Sequence, residues 1–413
     1  MFIKIKKGSK FTPFLTLNLK VNLISNQSLL PSLVRQQEMM NLSIPDASHY
    51  VIGCPGRPDS LEPLLKLYGI DVPDFVPDKF RKSFAHLNAT VPIPWRYVLP
   101  KKVFRENFKK FVAELCEIEK LFAENEYPQF FVKSNQLFSN LTQAKVDTTL
   151  MRKILQRNDS HVLKKMLSGS VGSYLDVPSY DRVSTKTGRL TIKKGPQVLT
   201  LKKEFRSVFT PAGPKKKLYE IDFVSLEPRV ALNFAGVEAS SDVYLSFIQA
   251  SDIPVSRDTA KLAVLCSLYG AGQSKLEQVL RKDGVDIRAS YLIKKVSEYF
   301  KLKELKSMLR GQAREGMILN YFGRPIEVDN ARESILVNNY LQSTATDVAI
   351  AGFSEFTKAF ANKCNSLFVI HDALIVEVED RYLADVRRYV DKGYEVPDLG
   401  NFPLKLKEFT HHE

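Results

Sequence analysis

Only four cysteines occur in 413 residues, and Cys54, Cys116, Cys266 and Cys364 lie far apart with no CxxC pair. That argues against a zinc finger or a disulfide framework and suits an intracellular, reducing compartment. No run of about 18 apolar residues exists, so no membrane span and no membrane partner are expected. Internal repeats and low-complexity tracts are also missing. The first 37 residues lack acids altogether and carry Lys4, Lys6, Lys7, Lys10, Lys20 and Arg35. A transit segment is one reading of that bias. The strict alternation of "LTLNLKVNL" (15–23) favours a folded N-terminal hairpin instead.

What the chain has in excess is positive charge. Against 46 Asp and Glu stand 60 Lys and Arg, a formal charge of +14. Such a balance points to nucleic acid or an anionic surface, although a generally basic soluble protein shares it. Residues 181–217 concentrate eleven Lys or Arg against two acids, Asp181 and Glu204. That segment leads directly into "YEIDFVSLEPRVAL" (219–232), where a strand pattern reaches Asp222 and a helix pattern follows, with Gly236 placed to end it.

The patterning predicts a mixed α+β chain in five stretches. Residues 1–95 mix short strand patterns with turns and carry no recognisable chemistry; "ATVPIPWRYVLPKK" (89–102) reads as a linker. Phe104, Phe108, Phe111, Leu115 and Phe122 recur at helical spacing, which predicts a helix over 103–124, and 137–170 is expected to be helical as well. Strand and loop fill 186–217, helices 240–316, and one long helix 332–363. Two strand patterns meet at His371-Asp372, and a helix (381–393) and a short strand close the chain.

Two acids, Asp222 and Asp372, each sit at a strand's edge among apolar residues. Aspartates are common in turns, which is the plainer explanation. If both strands share a sheet, however, the carboxylates converge, and like charges repel unless a cation bridges them. A pair of Mg²⁺ ions is the usual clamp for phosphoryl transfer, and hard ions take oxygen ligands. In "SRDTAKLAVLCSLYG" (256–270), Arg257, Lys261, Leu265 and Tyr269 recur every fourth residue, a drifting stripe on one helix face. Ser256 suits the N-cap and Gly270 the stop. Two cations one turn apart suit a triphosphate; an ordinary solvated basic face has the same pattern. The following "GAGQSK" lacks the GxxxxGK spacing and reads as a helix-ending turn.

In order and spacing these pieces resemble the family A DNA polymerases. Their first palm motif reads D-x-S-x-x-E-x-R in many members, beside which this chain has Asp222, Glu227 and Arg229, with Ser225 displaced by one. Their fingers helix, R-x-x-x-K-x-x-x-(F/Y)-G-x-x-Y-G, is matched by Arg257, Lys261, Tyr269 and Gly270. "TGRL" (187–190), "GMILNYFGRP" (316–325), "NNYLQSTATD" (338–347) and "IHD" (370–372) are similar to family phrases in the family order. The likeness covers roughly 186–413.

The resemblance implies a right-hand architecture: a thumb-like helical region at 96–185, palm at 186–240 and 332–413, and fingers at 241–331. It implies a template-directed DNA polymerase adding deoxynucleotides to a primer by two-metal phosphoryl transfer. Asp222, Asp372 and the Phe223 backbone carbonyl would hold two Mg²⁺ ions, with Mn²⁺ as substitute. Lys261 would act in catalysis and, with Arg257, grip the triphosphate. Leu265, Tyr269 and Glu227 would shape the nucleotide pocket, Glu227 excluding a 2′-hydroxyl. Arg189, Arg229, Asn338, Gln342 and His371 would contact or brace primer–template DNA. Partners would be that DNA, deoxynucleoside triphosphates and replication or repair accessory proteins. The chain before Asp222 has no DxE motif, so no proofreading exonuclease in cis is expected.

The chain departs from the family at Leu265, where Phe or Tyr is usual, and at Cys266, usually Gly. It departs also at Ala373, commonly Glu, and at Ser334, often Arg. Pro228 fits a first helical turn. Two other readings share the motifs: a single-subunit RNA polymerase or primase-like enzyme, and a catalytically weak nucleic-acid-binding relative.

Overall fold

A computed structural model describes residues 124–238, 241–270, 272–328 and 332–409, with short pieces before residue 124. The chain divides into two compact units, residues 1–139 and 140–413. In the first, Phe2–Lys4 pairs antiparallel with both Thr12–Phe14 and His49–Val51. Helices Glu62–Leu67 and Tyr127–Ser139 belong to it too, the latter burying Tyr127, Phe131 and Leu137. The strand expected at 15–23 lies outside the described residues, as do most of the linker at 89–102 and most of the helix at 103–124.

The helical expectation for 137–170 holds for most of the segment, with breaks between helices. Helix Tyr127–Ser139 ends there, a short strand Ala144–Lys145 follows, and two helices come after, Thr148–Arg157 and His161–Ser168. The breaks have local causes. Asp147 accepts from the Leu150 N–H and Ser160 from the Leu163 N–H, each opening a new helix as an N-cap.

The second unit is built on a four-stranded antiparallel sheet. Its order is Cys364–Ile370, Ala373–Glu379, Lys216–Phe223, Leu404–Glu408. Paired residues project to one face. Leu218, Ile375, Phe368 and Ile370 therefore share a face, which packs with Val208, Phe209 and Phe409 in one apolar core. On the opposite face Phe223 meets Phe353, with ring centroids 5.3 Å apart. Phe353 belongs to the long helix Glu333–Ala359, 27 residues with sixteen buried. Gly352 permits this approach: a Cβ there would stand 2.9 Å from the Phe223 ring. The helix is thus pressed against the strand end that carries Asp222.

Five helices follow one another over residues 243–313, ahead of the long helix: Val243–Ser251, Arg257–Tyr269, Gln273–Lys282, Ala289–Tyr299 and Leu302–Ala313. Ser256 caps the second, accepting from the Thr259 N–H, and Gly270 ends it, as their positions predicted. Among the described residues no helix is long and apolar enough to cross a membrane.

Candidate active site

The two aspartates meet through strand register. Ala373 stands opposite Asp222, so Asp372, one residue earlier, comes beside the neighbouring strand's end. The Phe223 N–H donates to the Asp372 backbone carbonyl at 3.4 Å. His371 and Asp372 alone connect the two hairpin strands, and His371 has φ of 54°. A left-handed first loop residue suits the turns that join tightly twisted strands. Ser225, three residues after Asp222, is left-handed as well, with φ of 53°, and leads into helix Leu226–Ala235. Non-glycine residues in this conformation carry strain, which tends to gather at functional sites. Here they flank both acids.

Burial raises the pKa of Asp222, and the Asp372 charge adds to it, bringing the group to about 6. The Lys407 ammonium, 3.6 Å from Asp222 Oδ2, opposes that shift. Glu227 is also raised by burial, opposed by Arg189, whose guanidinium donates to its carboxylate at 3.0 Å. With the Gln342 amide oxygen turned towards it, Arg189 donates there too at 2.9 Å, and the Gln342 amide nitrogen donates to Thr187 Oγ1. Arg189 is thereby held between Glu227 and Gln342.

A cavity of about 340 Å³ opens beside these groups. Its walls include Arg189, Ser225, Glu227, Leu265, Tyr269, Thr346, His371 and Asp372, drawn from five separate parts of the chain. Asp222, Phe223, Arg229, Arg257, Lys261, Asn338 and Gln342 do not line it. The stripe read from sequence is therefore divided. Leu265 and Tyr269 face the cavity, whereas Arg257 and Lys261 are exposed on the helix's N-terminal half. Arg257 donates to Asp242 at 2.6 Å and lies 5.3 Å over the Tyr244 ring. Arg229 is buried and donates to the carbonyl oxygens of Val224 and Ser241, a bracing position rather than a surface one. Asn338 is half-buried, with Oδ1 enclosed and, among the described residues, without a hydrogen-bond partner.

Several positioning residues carried no assigned role in the sequence reading. Arg182 and Asp347 form a buried ion pair, and Asn320 donates to the same Asp347 carboxylate and to Ser343. Arg324, fully buried, donates to the Arg182 and Thr185 carbonyl oxygens beneath the loop that bears Arg189. The phrases "TGRL", "NYFGRP" and "STATD" are thus neighbours in one buried network. Tyr180 links in from the side, its hydroxyl donating to Val369 O and accepting from the Val369 N–H. Lys407 was missed as well, although the alternating "LKLKE" of the terminal strand was a usable signal.

The donor set suits a hard divalent cation: two carboxylates and a strand-end carbonyl, all oxygen, beside a lysine already attracted to one of them. Among the described residues no three His, Cys, Asp or Glu side chains gather around one point. An ion here would take its remaining ligands from water and substrate, as Mg²⁺ commonly does.

The model for DNA polymerase family A matches residues 124–407, and the chain belongs to that family. The comparison with curated proteins returned no match. Membership supports a DNA polymerase-type nucleotidyltransferase, with DNA and deoxynucleoside triphosphates as substrates and Mg²⁺ as the ion the family generally uses.

Proposed function

We propose that this protein is a DNA-directed DNA polymerase that extends a primer 3′-hydroxyl with deoxynucleotides, and that its second unit is arranged as palm and fingers. Residues 186–240 and 332–413 would form the palm, 241–331 the fingers, and the helical region 96–185 a thumb. The observation that carries this reading is the register that seats Asp222 beside Asp372, which lines a cavity together with Leu265 and Tyr269.

Asp222, Asp372 and the Phe223 carbonyl would hold two Mg²⁺ ions, which when bound supply charge stabilisation to the attacking and leaving oxygens. The other roles fall to the chain's own groups. Arg257 and Lys261 bind the triphosphate, Arg257 by exchanging Asp242 for phosphate oxygens. Two cations one turn apart place positive charge where negative charge accumulates in transfer. Tyr269 and Leu265 flank the incoming nucleotide, and Glu227, fixed by Arg189, fills the space a 2′-hydroxyl would need. Gln342, Asn338 and His371 approach the primer–template end, with Arg229 bracing the strand behind them. Leu265 offers no aromatic face for stacking, which lowers base selectivity.

The test is primer extension with Mg²⁺, comparing deoxy- with ribonucleotides, on the whole chain and on Asp222→Asn and Asp372→Asn. Templated deoxynucleotide addition that both substitutions abolish is the expected result. Preferential ribonucleotide addition would replace this reading with an RNA polymerase, and binding without extension would replace it with a nucleic-acid-binding role.

A further inference from the structure

The terminal strand Leu404–Glu408 pairs with the central strand so that Lys405 stands opposite Asp222 and Lys407 opposite Glu220. All four therefore project to one face. Glu220 is already engaged, since Arg206 donates to its carboxylate at 2.7 Å. Lys407 consequently reaches past its own strand partner and brings its ammonium to 3.6 Å from Asp222 Oδ2. The lysine is half exposed and the aspartate mostly enclosed. A monovalent cation on a flexible stem is thus seated at one of two converging acids.

We propose that Lys407 is a tethered counter-ion that occupies the Asp222 carboxylate until a divalent cation displaces it, and so sets the divalent affinity of the Asp222–Asp372 pair. The inference rests on the two-acid reading above. Lys407 is a positioning residue: it touches neither substrate nor reacting atom, but holds Asp222 in one orientation and weakens ion binding by competition. An exposed ion pair contributes modestly to stability. A divalent ion, however, feels the nearby ammonium as direct repulsion, and that repulsion survives at distances below the Debye length. Loss of Lys407 should therefore tighten divalent binding about five- to tenfold.

The experiment measures Mn²⁺ binding by electron paramagnetic resonance on the full chain, without DNA or nucleotide. Wild type, Lys407→Gln, Lys407→Arg and Asp222→Asn are compared. The expected result is tighter binding in Lys407→Gln, wild-type affinity in Lys407→Arg and weaker binding in Asp222→Asn. Equal or weaker binding in Lys407→Gln, with Asp222→Asn still weakened, overturns the counter-ion proposal and leaves the two-acid reading intact. Unchanged binding in Asp222→Asn overturns that reading and the proposal with it. Lys407 is exposed at the chain's last strand, so its substitution leaves the core untouched.

Discussion

Arg189 reaches across the wall of the cavity and donates to Glu227 at 3.0 Å. The carboxylate is largely enclosed, the guanidinium largely exposed. Burial raises the pKa of Glu227, and Arg189 opposes that shift while holding the carboxylate in place.

If Glu227 bars a 2′-hydroxyl, its removal and the removal of Arg189 should differ. Glu227→Ala is expected to lower the deoxy-over-ribo ratio of kcat/KM by about 10- to 100-fold, the range over which a pocket discriminates a single hydroxyl. Arg189→Met should lower that ratio less and weaken primer–template binding in addition. Steady-state kinetics with paired nucleotides and a DNA-binding titration separate the two. Equal ratios in wild type and Glu227→Ala would remove the carboxylate from sugar selection.

Asp222 makes a stability prediction with a definite sign. Its folded pKa, about 6, lies above the ordinary carboxylate value, so the folded state holds the extra proton between roughly pH 4 and 6. Stability from this group is therefore fully present below pH 4 and lost as pH rises through 6. Asp222→Asn should be more stable than wild type by roughly 1–3 kcal/mol at pH 7.5, with the gain vanishing near pH 4. Urea unfolding at the two pH values measures it. A gain at pH 4 equal to that at pH 7.5 would show that ionisation is not its source.

The acid pair was legible because strand alternation on either side of Asp222 and Asp372 fixes which residues end the strands. The stripe helix was legible too, since Ser256 and Gly270 mark its ends with side-chain and backbone chemistry. What stayed hidden depends on contacts between distant segments. Lys407 reaches Asp222 only in one strand register, and a one-residue slip would turn it to the other face. Arg257 looked free for phosphate because Asp242, fifteen residues earlier, is brought back to it by a loop. The Arg182–Asp347 pair joins residues 165 apart, and nothing local announces it.

That pair makes the third prediction. Both side chains are almost fully enclosed, and Asn320 completes the carboxylate's hydrogen bonding. Asp347→Ala would leave the Arg182 charge buried without its carboxylate. The expected loss is about 3–5 kcal/mol, seen as a lower urea midpoint for the second unit. Arg182→Met with Asp347→Leu, which removes both charges together, should recover much of it. A double variant no more stable than Asp347→Ala would place the cost in packing rather than charge.

Gly270, at the end of the stripe helix, lies against the start of the long helix. It ends Arg257–Tyr269 with φ of 67°, and a Cβ built on it would fall 2.2 Å from the Cβ of Ser334. Two separate penalties follow for Gly270→Ala: left-handed backbone strain of about 1–2 kcal/mol, and a steric clash that only movement of one helix relieves. Tyr269, the adjacent residue, lines the cavity, so that movement should raise KM for the incoming nucleotide as well as lower stability. Pairing the substitution with Ser334→Gly removes the clashing atoms but not the strain. The double variant should therefore regain the nucleotide KM while keeping a stability deficit of about 1–2 kcal/mol. Thermal unfolding and nucleotide titration on the two single variants and the double one close the cycle. If Ser334→Gly restores neither quantity, the contact between the helices is not what positions Tyr269, and the small residue at 334 has another reason.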